Sequence, residues 1–175
     1  MPQVVLDDVD RAILHELQLD GRATNLELSR RVGLSPAATH ARVRSLERRG
    51  VVGGYAALVD REQLGFDLLC LVGVQMQVHQ YESIARMRDA IAGMPEVLEC
   101  HHITGEYDYQ LKVVVRNRRE LERFIVERLT PLPGVARIHT SLVLDEVKST
   151  TVLPVDELSD ASPEASPDRT VEPVA

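Results

Sequence analysis

Residues 24–50, TNLELSRRVGLSPAATHARVRSLERRG, read as two short helices joined by a tight turn. Thr24-Asn25-Leu26-Glu27 has the S/T-x-x-E form of a capping box, with Thr24 as N-cap and Glu27 reaching back to it. Leu28 and Val32 begin an apolar stripe at helical spacing. Gly33 stops that helix, because glycine enters the left-handed region without strain. Ser35 can cap the next helix, with Pro36 at its first position, where a missing N–H costs nothing. That helix runs to Gly50. Thr39, Val43 and Leu46 give its inner face and leave Ala37, His40, Ala41, Arg44 and Arg48 outside.

Charge sharpens the reading. Between Arg22 and Arg49 there are seven Arg against two acids, a local charge of +5 in a chain of net charge −7. A second helix that is small near its start, polar outside and Arg-rich suits a major groove. The competing reading is a helical hairpin with a solvated basic face. The net acidity does not count against nucleic acid, because residues 151–175 hold six acids and one base, whereas residues 1–60 balance at eight of each.

A length of 175 residues suits one ordinary domain or two small ones. Cys70 and Cys100 lie far apart without metal-like spacing and read as small buried hydrophobes of a reducing compartment. No export signal is evident, and the apolar runs Leu68–Val74 and Val113–Val115 are too short to span a membrane. The expectation is a soluble cytoplasmic protein.

A first helix is expected from Asp7 or Asp8 to about Asp20, with Val9, Ile13, Leu14 and Leu17 on one face. Asp7, Asp8 and Asp10 favour its first turn through the macrodipole, which is role enough for them. Residues 51–59, with Gly53-Gly54, read as a small wing and an exit strand. The first domain is expected over 1–60, a linker over 61–66 and a second domain over 67–150.

The second domain contains an internal repeat: Met94-Pro95-Glu96-Val97 returns as Leu132-Pro133-Gly134-Val135. Strands are expected at 68–77, 97–104, 107–115 and 135–145, and helices at 80–93 and 117–130. Two β-α-β halves of this kind give a ferredoxin-like βαββαβ domain. In the third strand Tyr107, Tyr109, Leu111, Val113 and Val115 share the parity that should face the helices. The first and fourth strands carry apolar residues on both parities and so want cover on both faces. The simplest second cover is another copy of the chain, and a homodimer is expected. Residues 151–175, rich in Pro, Ser and acids, are expected to be a disordered tail.

Seven blocks stand in order along the chain: Leu6-Asp7-Asp8-Val9-Asp10-Arg11-Ala12-Ile13-Leu14, Asp20-Gly21-Arg22, Leu28 to Ser35, Arg42-Val43-Arg44-Ser45-Leu46-Glu47, Thr104-Gly105-Glu106-Tyr107-Asp108-Tyr109, Leu132-Pro133-Gly134-Val135 and Asp145-Glu146-Val147-Lys148. Together they resemble the leucine-responsive regulator/AsnC family of transcription factors. Each is weak alone, but their order over residues 5–150 is specific. The resemblance implies an α+β chain: an N-terminal winged helix-turn-helix, then a ferredoxin-like, RAM-type domain that dimerises through its sheet. It also implies further association, often to octamers, and small effectors, usually amino acids, bound between subunits near the Gly-x-x-Asp loop.

For DNA, Ser35, Arg42, Arg48 and Arg22 are phosphate candidates, although Arg42 has an alternative as an intramolecular partner of Glu47 or Asp20. Arg44 is the best base reader, since Arg pairs with guanine O6 and N7. His40 is a second candidate, Ala37, Ala38 and Ala41 permit close approach, and Asn25 and Pro36 complete the expected interface. For the effector, the candidates are His102, Gly105, Tyr107 and Asp108, with Gly105 giving a tight turn and Asp108 a carboxylate for an ammonium group.

Cys100, His101, His102 and Asp108 raise a metal alternative, but adjacent histidines on a strand point to opposite faces. A non-amino-acid metabolite is another alternative effector. An enzyme using His102 and Asp108 as acid and base lacks a nucleophile–base pattern, so no catalytic residue, metal or cofactor is assigned. RNA binding fails because the open face of the central strand lacks an aromatic platform.

Overall fold

The computed structural model describes residues 4–77 and 81–155, and its backbone divides into two units. One comprises the described residues 4–57 together with 149–155, and the other lies between Leu58 and Lys148.

In the first unit, α1 (Asp8–Leu19), α2 (Asn25–Val32) and α3 (Pro36–Arg48) form the helical core. Each start is capped as the residue types require. Asp7, Thr24 and Ser35 accept from Asp10, Glu27 and Ala38 N–H, and Thr24 and Glu27 complete a capping box. Gly33 ends α2 at φ 69°, which only glycine adopts without strain. Ile13, Leu14, Leu28 and Leu46 form the core, with Val9, Leu17, Val32 and Val43 partly buried around it.

The fifth buried apolar residue of that core is Val155. The Gln18 carboxamide grips the backbone of Leu153, with Nε2 donating to its O at 3.1 Å and Oε1 accepting from its N at 2.7 Å. The second unit begins at Leu58 and takes in the segment 61–66 expected as a linker, and residues 149–155 fall in the first unit, although 151–155 were expected to start a free tail. The tail expected over 156–175 lies outside the described residues. No wing forms among the described residues, since 53–60 carries neither strand nor helix.

The second unit has the order β1 (Leu68–Met76), α4 (Tyr81–Ala92), β2 (Val97–His102), β3 (Tyr109–Val115), α5 (Arg118–Arg123) and β4 (Val135–Leu142). The sheet runs β2-β3-β1-β4, antiparallel throughout. This is the ferredoxin-like arrangement expected. Cys70, Val72 and Val74 of β1 and Tyr109, Leu111 and Val113 of β3 pack under Met87, Ile91, Phe124 and Leu129.

Beyond α5 the helix widens into a π-helical segment, Phe124–Leu129. Thr130 N–H donates to Ile125 O five residues back. Phe124 and Leu129, which would diverge on an α-helix, are both buried here.

The other face of the sheet is only partly covered, with Leu69 buried and Leu71 42 % exposed. Cys100 is exposed at the edge strand, so the reading of both cysteines as buried hydrophobes holds only for Cys70. An edge strand has a neighbour on one side alone and leaves its side chains half covered.

Candidate nucleic-acid interface and effector site

The outer face of α3 is as its spacing requires. Thr39 and Leu46 are buried, while Ala37, His40, Ala41, Arg44 and Arg48 are exposed. Ser35 and Pro36, at the start of α3, and Asn25, at the start of α2, are exposed too.

The seven arginines divide into two groups. Arg31 pairs with Glu16 and Asp20. Arg42 pairs with Asp7 and with Asp10 at 2.9 Å, and Arg49 reaches Asp10 at 3.3 Å and the Val5 carbonyl. The partners of Arg42 are therefore neither Glu47 nor Asp20, because α3 crosses the start of α1. Asp10 is not a mere helix starter: only 6 % exposed, it ties Arg42 in the middle of α3 and Arg49 at its C-cap to α1. The Arg42 guanidinium and the Asp10 N–H hold the Asp7 carboxyl below the usual range, and Asp7 and Asp10 raise Arg42. Arg30, Arg44 and Arg48 form no hydrogen bond or ion pair among the described residues, and Arg22 uses only its backbone N–H.

A cleft of about 360 Å³ runs beside α3, lined among others by Thr24, Asn25, His40, Arg44, Glu47 and Tyr55. Within it Asn25 Nδ2 lies 2.9 Å from His40 Nδ1, and the Tyr55 hydroxyl donates to Glu47 Oε1 at 3.3 Å. Sequence reasoning missed the Tyr55–Glu47 contact because it joins α3 to a segment read as a wing.

In the second unit the expected effector residues separate. Tyr107 precedes β3 instead of belonging to it. Asp108 N–H donates to Val74 O, and its carboxylate accepts from Met76 N at 2.7 Å, which sets Tyr107 off the strand's parity. The Tyr107 ring stacks on His139 at 5.7 Å and lies over Gly73 on the open face, not on the helix side with Tyr109. Only glycine fits at position 73, since a Cβ would stand 2.7 Å from the ring. Gly105 sits at φ 126° in the exposed loop between β2 and β3.

His102 stacks on Tyr109 at 4.8 Å and faces the helices. It lines a cleft of about 490 Å³ with Arg88, Ile91, Leu98 and Cys100. His101 points the other way, to Glu99 at 3.0 Å, and lowers that carboxyl's pKa. The two histidines thus diverge as strand geometry demands. Among the described residues no three His, Cys, Asp or Glu side chains gather as a metal site would require. No helix among them is long and apolar enough to cross a membrane.

A helix-turn-helix with an arginine-bearing outer face, joined in one chain to a ferredoxin-like unit, defines a regulator of the DNA-binding and ligand-sensing class. Residues 6–47 match the AsnC-type helix-turn-helix domain and residues 69–153 the Lrp/AsnC ligand binding domain. The chain is 34 % identical over 155 residues to the transcriptional regulator AzlB of Bacillus subtilis, covering 89 % of this chain and 99 % of that one. It is 40 % identical over 148 residues to the leucine-responsive regulatory protein of Escherichia coli K12, covering 85 % and 90 %. Among solved structures, the transcriptional regulator NMB0573 of Neisseria meningitidis in complex with L-Met superposes with a TM-score of 0.84 at 36 % identity, covering 87 % and 98 %. Escherichia coli AsnC superposes at 0.77 and 26 % identity, covering 85 % and 99 %. The chain belongs to the Lrp/AsnC family of transcriptional regulators. It is a regulator with a DNA-binding and a ligand-binding domain, and not an enzyme.

Proposed function

We propose that this regulator works in the cytoplasm as a homodimer or higher oligomer, such as an octamer, that reads duplex DNA through α3 and answers to an amino acid. The partition of the arginines carries the DNA reading. Arg42 holds the helix in place from within, while Arg44 and Arg48 stay free for a partner outside. Arg44 reads a base edge, Arg48 and Arg22 meet phosphates, and the exposed alanines at 37 and 41 let the backbone approach. Ser35 spends its hydroxyl oxygen on Ala38 N–H, so its phosphate contact comes through its O–H or the helix N-terminus. In a competition titration, Arg44→Ala should cost about 1–3 kcal/mol on a specific duplex and relax one base preference. An equal loss on random DNA would reduce Arg44 to a phosphate contact.

The amino-acid reading is supported by the ligand named for the Neisseria relative and by the loop around Gly105. One Asp108 oxygen is taken by Met76 N–H, and the other, without a partner among the described residues, suits an ammonium group. Tyr107 shares that loop, whereas His102 opens to the helix-side cleft and stands apart from it. The half-covered sheet face that carries Tyr107 and Leu71 is the surface proposed for a second copy. A thermal-shift screen with the twenty amino acids tests this, because a ligand bound to the native state raises apparent stability by mass action. A shift with at least one, lost in Asp108→Ala, is expected. No shift with any would send the search to another metabolite class.

A further inference from the structure

We propose that Asn25 locks His40 in the tautomer carrying its proton on Nε2, so that α3 offers a fixed hydrogen-bond donor beside Arg44 and selects against cytosine at the base it faces. The inference rests on the DNA-binding reading of α3 and adds the chemistry of one base contact to it.

The geometry starts from the amide. Asn25 Nδ2 is a donor only, and it stands 2.9 Å from His40 Nδ1. With the amide nitrogen turned to the ring, Nδ1 offers its lone pair, and in a neutral ring the proton sits on Nε2. The pair is held at both ends by the backbone. Asn25 opens α2 directly after the Thr24–Glu27 capping box, and His40 lies in the second turn of α3. Both are exposed, so the contact does not fill the core and needs another reason to exist.

His40 and Arg44 are four apart and lie on one face of α3. The only acid one turn further on, Glu47, accepts from the Tyr55 hydroxyl, and Arg44 remains without a partner among the described residues. Two neighbouring groups thus present donors and no acceptor. Guanine shows acceptors at N7 and O6, adenine at N7 and thymine at O4, whereas cytosine shows the N4 amino donor. A donor fixed on Nε2 meets an acceptor on the first three and another donor on cytosine. Without Asn25 the ring could exchange tautomers and accept from cytosine, and the discrimination would be lost.

The test uses the full chain. Nitrogen-15 NMR of the histidine rings should show His40 with its proton on Nε2, and Asn25→Ala should mix the tautomers. Selection from random duplexes should return sites in which cytosine is disfavoured about three- to tenfold opposite His40, the worth of one hydrogen bond. His40→Gln, whose amide carries both a donor and an acceptor and can turn either one to the base, should lose that bias even though it reaches as far as Nε2. His40→Asn, which reaches only as far as Nδ1, and Asn25→Ala should flatten it. The inference is overturned if the native ring carries its proton on Nδ1, or if an enriched site survives Asn25→Ala and His40→Ala with unchanged base preferences. Failure of the underlying DNA reading looks different, since the unaltered protein would then enrich no site at all. Circular dichroism of each variant separates a misfolded helix from a lost contact.

Discussion

The two units hold themselves together by different means. Among the described residues, the core cluster of the sheet unit holds thirteen buried apolar or weakly polar residues between its helices and one face of the sheet. The helical unit buries five, one of them borrowed from the far end of the chain, and adds a charged tie through Asp10, Arg42 and Arg49. A small domain with little apolar area leans on specific contacts where a larger one can rely on burial. The same residue type, arginine, thereby fastens α3 on one side and remains available on the other.

The largest expected effects test the cores themselves. Leu111→Ala in the sheet unit and Leu46→Ala in the helical unit each remove a fully buried side chain and should each cost about 2–5 kcal/mol. The comparison predicts different reach. Native-state hydrogen exchange should show Leu46→Ala stripping protection from α1–α3 while β1 and β3 keep theirs. Loss of protection across both units would mean that they unfold as one.

Next in size is the charged tie. Asp10→Asn keeps the shape but weakens hydrogen bonds to two guanidinium groups, and it should cost about 1.5–3 kcal/mol in denaturant unfolding. Arg48→Ala, on the free side of the same helix, should stay within about 0.5 kcal/mol. Equal costs for the two would erase the division of the arginines into fasteners and readers.

That division marks where the sequence stops being legible. Helix starts and stops, the face of α3 and the parity of β3 follow from local rules, because caps, glycines and periodicities act within a few residues. The partners of Arg42 depend on how α3 crosses α1, and periodicity does not encode a crossing. The same limit explains Tyr107. Parity would put it with Tyr109, but Asp108 interrupts the strand by donating its N–H to Val74 O and accepting from Met76 N–H of β1. The return of Val155 to the first unit is a contact across 135 residues and more, invisible to any window. An acidic, proline-rich composition argued for disorder from 151 onward, and a single valine outweighed it at 155.

The open face of the sheet offers the next test. Gly73→Ala would drive a methyl into the Tyr107 ring, with 2.7 Å between Cβ and Cγ, and overpacking of this kind costs about 1–3 kcal/mol. The ring is expected to leave His139, visible as altered aromatic shifts, and any effector shift that depends on the Tyr107–Asp108 loop should weaken with it. Unchanged stability with a displaced ring would show that Tyr107 contributes to the site and little to the fold.

The smallest expected effect concerns Asp7, which joins both sides of the comparison because it caps α1 and holds Arg42. The Arg42 contact, then the Asp10 N–H, lowers its pKa against a modest burial penalty. A lowered native pKa means that the unfolded chain binds the proton more readily. The stabilisation is therefore present above about pH 3.9 and fades as pH falls through the native value. Asp7 is half exposed, so solvent screens the pair and only the direction carries weight. Asp7→Asn retains an oxygen for the cap and removes the charge. Its deficit in stability against the unaltered protein should be constant from about pH 7 to about pH 5 and shrink below about pH 4. A deficit just as large in acid would place the value of Asp7 in its shape and cap instead of its charge, and would leave Asp10 as the residue on which the Arg42 fastening depends.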